Sequence, residues 1–166
     1  MMRLAAPGRW LPVAGLALLL SGCGGSSSEQ AVQARPLEDP GFTASGAYTL
    51  YYAANPTRDL PAQALRNLGV APSARRILVS VSLLQRDAAA ASRPVRAVVT
   101  VAVRTLTGEP VVLPVREFDA GGTPSYVAVF DARHRELYVF EATAHAAGDA
   151  PATAITARFQ REFWLD

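Results

Sequence analysis

The sequence predicts a single antiparallel β-sandwich of about seven strands with one short helix. Apolar residues recur with period two over most of residues 42–166, and clusters bearing Gly and Pro separate those runs. Only one segment has a helical period. Strand side chains point alternately to opposite faces, so period two marks a strand with one buried face. Short strands punctuated by regular turns are the pattern of a sandwich, and the expected architecture is immunoglobulin-like.

Each element has its own reason. Ala47–Ala53 is the first alternating run. A helix follows: Pro61 suits a first helical position, Leu65 and Leu68 supply an apolar face, and Gly69 suits the residue just past the end. Ile77–Leu84 is the next strand, and Ala88–Ala91, lying between two strand runs, reads as a hairpin loop. In Val95–Thr105 the set Val95, Ala97, Val99, Val101 and Val103 alternates with Arg96, Val98, Thr100, Ala102 and Arg104, as in a half-buried antiparallel strand. Val111–Arg116, Ser125–Asp131, Glu136–Thr143 and Thr153–Trp164 complete the set. The turns between them are Thr107–Pro110, Ala120–Pro124, Asp131–Arg135 and Ala147–Pro151.

Residues 1–41 have another character. Arg3 and Arg9 form a positive start, Leu11–Leu20 is an apolar run of ten residues interrupted by Pro12 and Gly15, and small Ser21 and Gly22 precede Cys23. Ten residues fall short of the roughly 20 that cross a bilayer as a helix. The layout is that of a secretory signal peptide over residues 1–22, cut between Gly22 and Cys23. Leu20-Ser21-Gly22-Cys23 resembles the lipobox of bacterial lipoproteins at all four positions. That resemblance implies cleavage before Cys23, lipid on its sulfur, and attachment to a membrane on the periplasmic side. Gly24 stands where an Asp would signal retention in the inner membrane, so the outer membrane is the implied address. Stable anchoring takes more than one acyl chain, and lipoproteins of this kind carry three. Residues 23–41, rich in Gly, Ser, Gln and Pro, read as the lipidated N-terminus and a flexible tether with a reach on the order of 25 Å.

Composition excludes more than it assigns. The whole chain carries 16 basic and 14 acidic residues, but Arg3 and Arg9 leave with the signal, and 16 − 2 = 14 balances the acids. A neutral domain lacks the sustained basic field that nucleic acid or an anionic bilayer demands, despite a whole-chain pI near 9.0. All 16 basic residues are Arg. Without Lys there is no Schiff-base chemistry, no pyridoxal attachment and no Walker-type phosphate loop. Cys23 is the single cysteine, and its acylation removes thiol nucleophiles, thiolate metal sites and internal disulfides. His134 and His145 are the only histidines, and they are not at the i, i+4 spacing that sets two imidazoles side by side on one helix face. No cofactor and no metal site is expected.

Several motifs carry a family resemblance. Leu113-Pro114-Val115-Arg116-Glu117-Phe118, then Gly121, Tyr126, Ala128 and Phe130, and the closing Phe159-Gln160-Arg161-Glu162-Phe163-Trp164 look like domain-of-unknown-function family 4426. Gly46-x-Tyr48-x-Leu50-x-Tyr52, the Pro61–Gly69 helix and the Arg76–Ser82 strand fit the same family, so the resemblance covers about 46–166. It departs beside Asn55, where Ala54 replaces the family's aromatic and Pro56 follows. The resemblance implies a small secreted proteobacterial protein and brings no activity with it.

Four residues form the expected binding surface: Arg116, Glu117, Tyr126 and Trp164. Arg116 and Glu117 are adjacent on a strand and point to opposite faces; Glu117 extends the apolar side of Leu113 and Val115. Aromatic residues on strands are more often core or cross-strand pairs, the bland reading for Tyr48, Tyr52, Tyr126 and Tyr138. Trp164, off the parity of Phe159 and Phe163, suits a surface contact, and His134 sits among charges in a turn.

The expected function is therefore a non-enzymatic binding or accessory module of the envelope, held to the membrane by lipid and presenting a surface to a protein or peptide. The alternatives are a sandwich that binds a small apolar or lipid ligand, and a hydrolase assembled from separate strands. No G-x-S-x-G elbow is present for the last.

Overall fold

The computed structural model describes residues 39–119 and 121–165. The expected signal peptide, the cut after Gly22, the lipid site at Cys23 and nearly all of the tether lie outside them.

Among the described residues ten strands build two antiparallel sheets that face each other as a sandwich. They are β1 (Phe42–Ser45), β2 (Tyr48–Pro56), β3 (Arg76–Arg86), β4 (Ser92–Val95), β5 (Ala97–Thr105), β6 (Val111–Leu113), β7 (Arg116–Asp119), β8 (Pro124–Asp131), β9 (Glu136–Ala146) and β10 (Ile155–Phe163). One sheet runs β1-β2-β3-β8-β7, with β4 also paired to β3; the other runs β10-β9-β5-β6. The eleven-residue β3 pairs β2 along most of its length, β8 over Arg76–Val81 and β4 over Leu83–Arg86.

The count exceeds seven because the chain twice changes sheets inside a run expected as one strand. At Arg96 it leaves the six-stranded sheet and enters the four-stranded one, dividing residues 92–105 into β4 and β5. At Pro114–Val115 it crosses back, dividing 111–119 into β6 and β7. Pro114 has no N–H for a ladder, so the pairing ends there. The tenth strand, β1, joins β2 through a two-residue turn in which Gly46 takes φ 57°, where a Cβ is disfavoured. The Ala88–Ala91 loop is the β3–β4 hairpin turn, tied by the Asp87 carboxylate, which accepts from Ala89 N–H and Ala91 N–H at 2.9 Å each.

Helix α1 (Ala62–Leu68) starts one residue later than expected, with Pro61 at its N-cap. Gly69 closes it in the left-handed conformation at φ 64°, and the Gly69 and Val70 N–H groups return to the Arg66 and Leu65 carbonyls. Leu65, with Val70, packs on Leu78 and Val127, covering part of the outer face of the larger sheet. The interior between the sheets is aromatic at its centre: Phe140 is fully buried and stacks on Phe159, which stacks in turn on Tyr52 at 4.5 Å.

Candidate functional site

Glu117 and Tyr126 are direct cross-strand partners on β7 and β8. Tyr126 is buried, and its hydroxyl donates to Glu117 Oε2 at 3.3 Å while accepting the Ala97 N–H at 2.7 Å. Glu117 Oε1 also lies 3.4 Å from Arg96 Nη2. These three side chains thus hold the point where β4 becomes β5 against the point where β6 gives way to β7. Burial pushes the Tyr126 phenol above its ordinary value, and the Glu117 charge adds to the rise.

Arg116 turns to the other face, as parity requires, and donates through Nη2 to the Leu68 carbonyl at the end of α1 at 3.2 Å. Trp164 stands apart from both. It is 57% exposed, with the Arg135 guanidinium 4.9 Å from its ring centre and the His134 ring edge-on at 6.0 Å. Arg58 donates to the Trp164 carbonyl at 3.1 Å, and Leu165 N–H donates to His134 Nδ1 at 3.1 Å. The four residues expected to form one surface therefore fall into three places: an internal tie, a helix C-terminus and a chain end. Among the described residues no three His, Cys, Asp or Glu side chains come together as metal ligands.

A different feature, not expected from the sequence, lies at the β6 edge of the smaller sheet. Leu106, Val111 and Val112 are 58%, 59% and 65% exposed there. Beside them a crevice of about 340 Å³ opens between the sheets, lined by Val103, Thr105, Val111, Leu113, Phe130 and Tyr138, with Arg104, Gly108 and Glu109 completing its wall. Phe130 belongs to the central aromatic group, 5.2 Å from Tyr138 and 5.8 Å from Phe140, yet is only partly buried because the crevice reaches it. The sequence did hold a signal: three consecutive apolar residues, Val111-Val112-Leu113, between Pro110 and Pro114 break the alternation. A strand with one face in solvent has no use for an apolar residue at Val112.

Two facing antiparallel sheets with an aromatic interior and one helix laid on an outer face define the class as a small β-sandwich. The model of the domain-of-unknown-function family DUF4426 matches residues 42–166, and the chain belongs to that family. The crystal structure of a DUF4426 family protein from Pseudomonas aeruginosa PAO1 is similar, with a TM-score of 0.63 at 24% identity. The alignment covers 75% of this chain and 94% of that one. At that identity the likeness bears on the fold. None of the curated proteins matches the chain.

Proposed function

We propose that the chain is a lipid-anchored, non-enzymatic binding module of the bacterial envelope, held through Cys23 on the periplasmic side of the outer membrane. Its task is to present the β6 edge to a protein partner. The anchor reading is supported by the Arg3 and Arg9 start, the ten-residue apolar run, the Leu20–Cys23 tetrapeptide and Gly24.

The partner reading is carried by one observation: the exposure of Leu106, Val111 and Val112, all within residues 106–112, at the unpaired end of the smaller sheet. Scattered exposed apolar residues are ordinary, whereas a cluster at one edge marks a contact surface. The contact is made by side chains. β6 offers three residues between Pro110 and Pro114, too short a ladder for adding a strand.

The test is photocrosslinking in cells, with a photoreactive amino acid at Val112 and, as control, at Thr156 on the far edge of the same sheet. Val112 captures a reproducible protein species and Thr156 does not; equal capture at both, or none at either, overturns the partner reading. Cys23→Ser blocks lipid labelling and leaves the precursor uncut, and normal processing of that variant refutes the anchor.

A further inference from the structure

We propose that the outer face of the smaller sheet binds a free α-amino acid with a short aliphatic side chain, in a cleft between Arg104 and Glu141. This goes beyond the partner reading and does not depend on it.

Strand pairing builds the site. Val101 and Val103 face the interior, so Ala102 and Arg104 on β5, and their register partners Glu141 and Val139 on β9, stand on the outer face. On β10, Arg158 lies opposite Glu141 and Gln160 opposite Val139. Long side chains thus surround two short ones, and over Ala102 and Val139 they leave a cleft of about 260 Å³ walled by Arg104, Glu141, Arg158 and Pro110. Val139 is buried on a face that α1 does not cover.

Two opposite charges are held apart there. Arg104 and Glu141 are diagonal neighbours across the β5–β9 pair, a spacing of about 7–8 Å. Among the described residues the ion pairs are Arg58–Asp59, Arg76–Asp131, Arg96–Glu117 and Arg158–Glu141, so these two do not join. Each is drawn elsewhere: Arg104 donates through Nη1 to the Leu106 carbonyl at 3.3 Å, and Glu141 accepts both Arg158 Nε and Nη2 on its Oε2. Most of the Arg104 donors and the whole of Glu141 Oε1 are left for a ligand. A carboxylate satisfies the first and an ammonium the second, at charge-assisted distances of about 2.7–2.9 Å, and the two carried on one carbon bridge a gap of that order. A carboxylate without an amine is opposed by Glu141, and an amine without a carboxylate by Arg104. Size fixes the rest: at roughly 30 Å³ for each water-sized group the cleft takes about nine non-hydrogen atoms, as in leucine, and Val139, Ala102 and Pro110 give the side chain an apolar bed.

Equilibrium dialysis of radiolabelled leucine against the full chain in phospholipid nanodiscs, with empty nanodiscs as the blank, tests the assignment. Saturable binding at millimolar leucine or below is expected. Leucinamide lacks the carboxylate, N-acetylleucine the ammonium and glycine the side chain; each displaces the label at least tenfold less effectively than leucine. Arg104→Gln erases the preference over leucinamide and keeps that over N-acetylleucine, and Glu141→Gln does the reverse. Where a variant retains too little binding to rank competitors, a fall of at least tenfold in its leucine affinity reports the same lost contact. A near-UV circular dichroism spectrum like wild type shows each variant folded. Absence of saturable binding, displacement by leucinamide, N-acetylleucine or glycine as effective as by leucine, or parental affinity and preferences in both folded variants overturns the proposal. If a variant fails to fold, the three competitors on the parent chain decide alone.

Discussion

Tyr126 carries on one oxygen the hydrogen bonds that fix a sheet-to-sheet crossing, and its neighbours show how differently adjacent polar groups weigh. The Ala97 N–H it accepts is buried, so Tyr126→Phe leaves a donor unsatisfied and costs about 1–3 kcal/mol. The Arg96–Glu117 pair is largely solvated, with side chains 71% and 39% exposed, and contributes at most about 1 kcal/mol. Denaturant unfolding therefore ranks Tyr126→Phe as clearly more damaging than Arg96→Gln, and the reverse order refutes this account. Parity in the sequence placed Arg116 and Glu117 on opposite faces, and the structure has them so. What parity could not give was the partner of either. The Leu68 carbonyl and the Arg96 guanidinium, 48 and 21 positions away by residue number, are reached only through the fold.

Elements were legible where burial has a period and illegible where the chain changes sheets. Both sheets turn apolar faces toward the same interior, so Val95 and Ala97, on different sheets, both face inward and alternation runs unbroken through Arg96. The same holds for Leu113 and Val115 across Pro114. Periodicity reports which way a side chain faces and is silent on the sheet that carries it. The edges show a second element-scale property. β10 is a nine-residue edge strand whose inward parity is Ile155, Ala157, Phe159, Arg161 and Phe163, and Arg161 alone in that set is exposed. An inward-pointing charge is a known guard against edge-to-edge pairing. Arg161→Val is expected to fold with a melting temperature near that of the parent and to self-associate with rising concentration in analytical ultracentrifugation. A variant that stays monomeric removes that role from Arg161. Helix α1 is anchored mainly by Leu65, 2% exposed, so Leu65→Ala costs about 2–5 kcal/mol in chemical unfolding. A loss below 1 kcal/mol places the helix outside the cooperative unit.

At the scale of the whole molecule, the sandwich followed from composition and period, while the crevice did not, because it is a gap between strands distant in sequence. Val103, Leu113 and Tyr138 belong to the buried core and Phe130 packs partly buried against it; that they fail to close on one another is a property of β6 ending after three residues. The interior also sets how the fold meets alkaline solution. Folding raises three phenols above their ordinary value of 10.0: Tyr48 chiefly through its 2.7 Å hydrogen bond to Asp149, and Tyr52 and Tyr126 chiefly through burial. Below pH 10 these groups are neutral in both folded and unfolded chains, and their contribution to stability is complete. Above it the unfolded chain ionises first, so stability falls as pH climbs through the raised native values. Melting temperature is therefore expected to vary little with these tyrosines between pH 7 and 9 and to drop steeply from about pH 10 upward. Tyr126→Phe, though less stable at neutral pH, shows a shallower drop because one raised phenol is gone. Parallel curves for parent and variant from pH 9 to 11.5 refute the assignment of that slope to Tyr126.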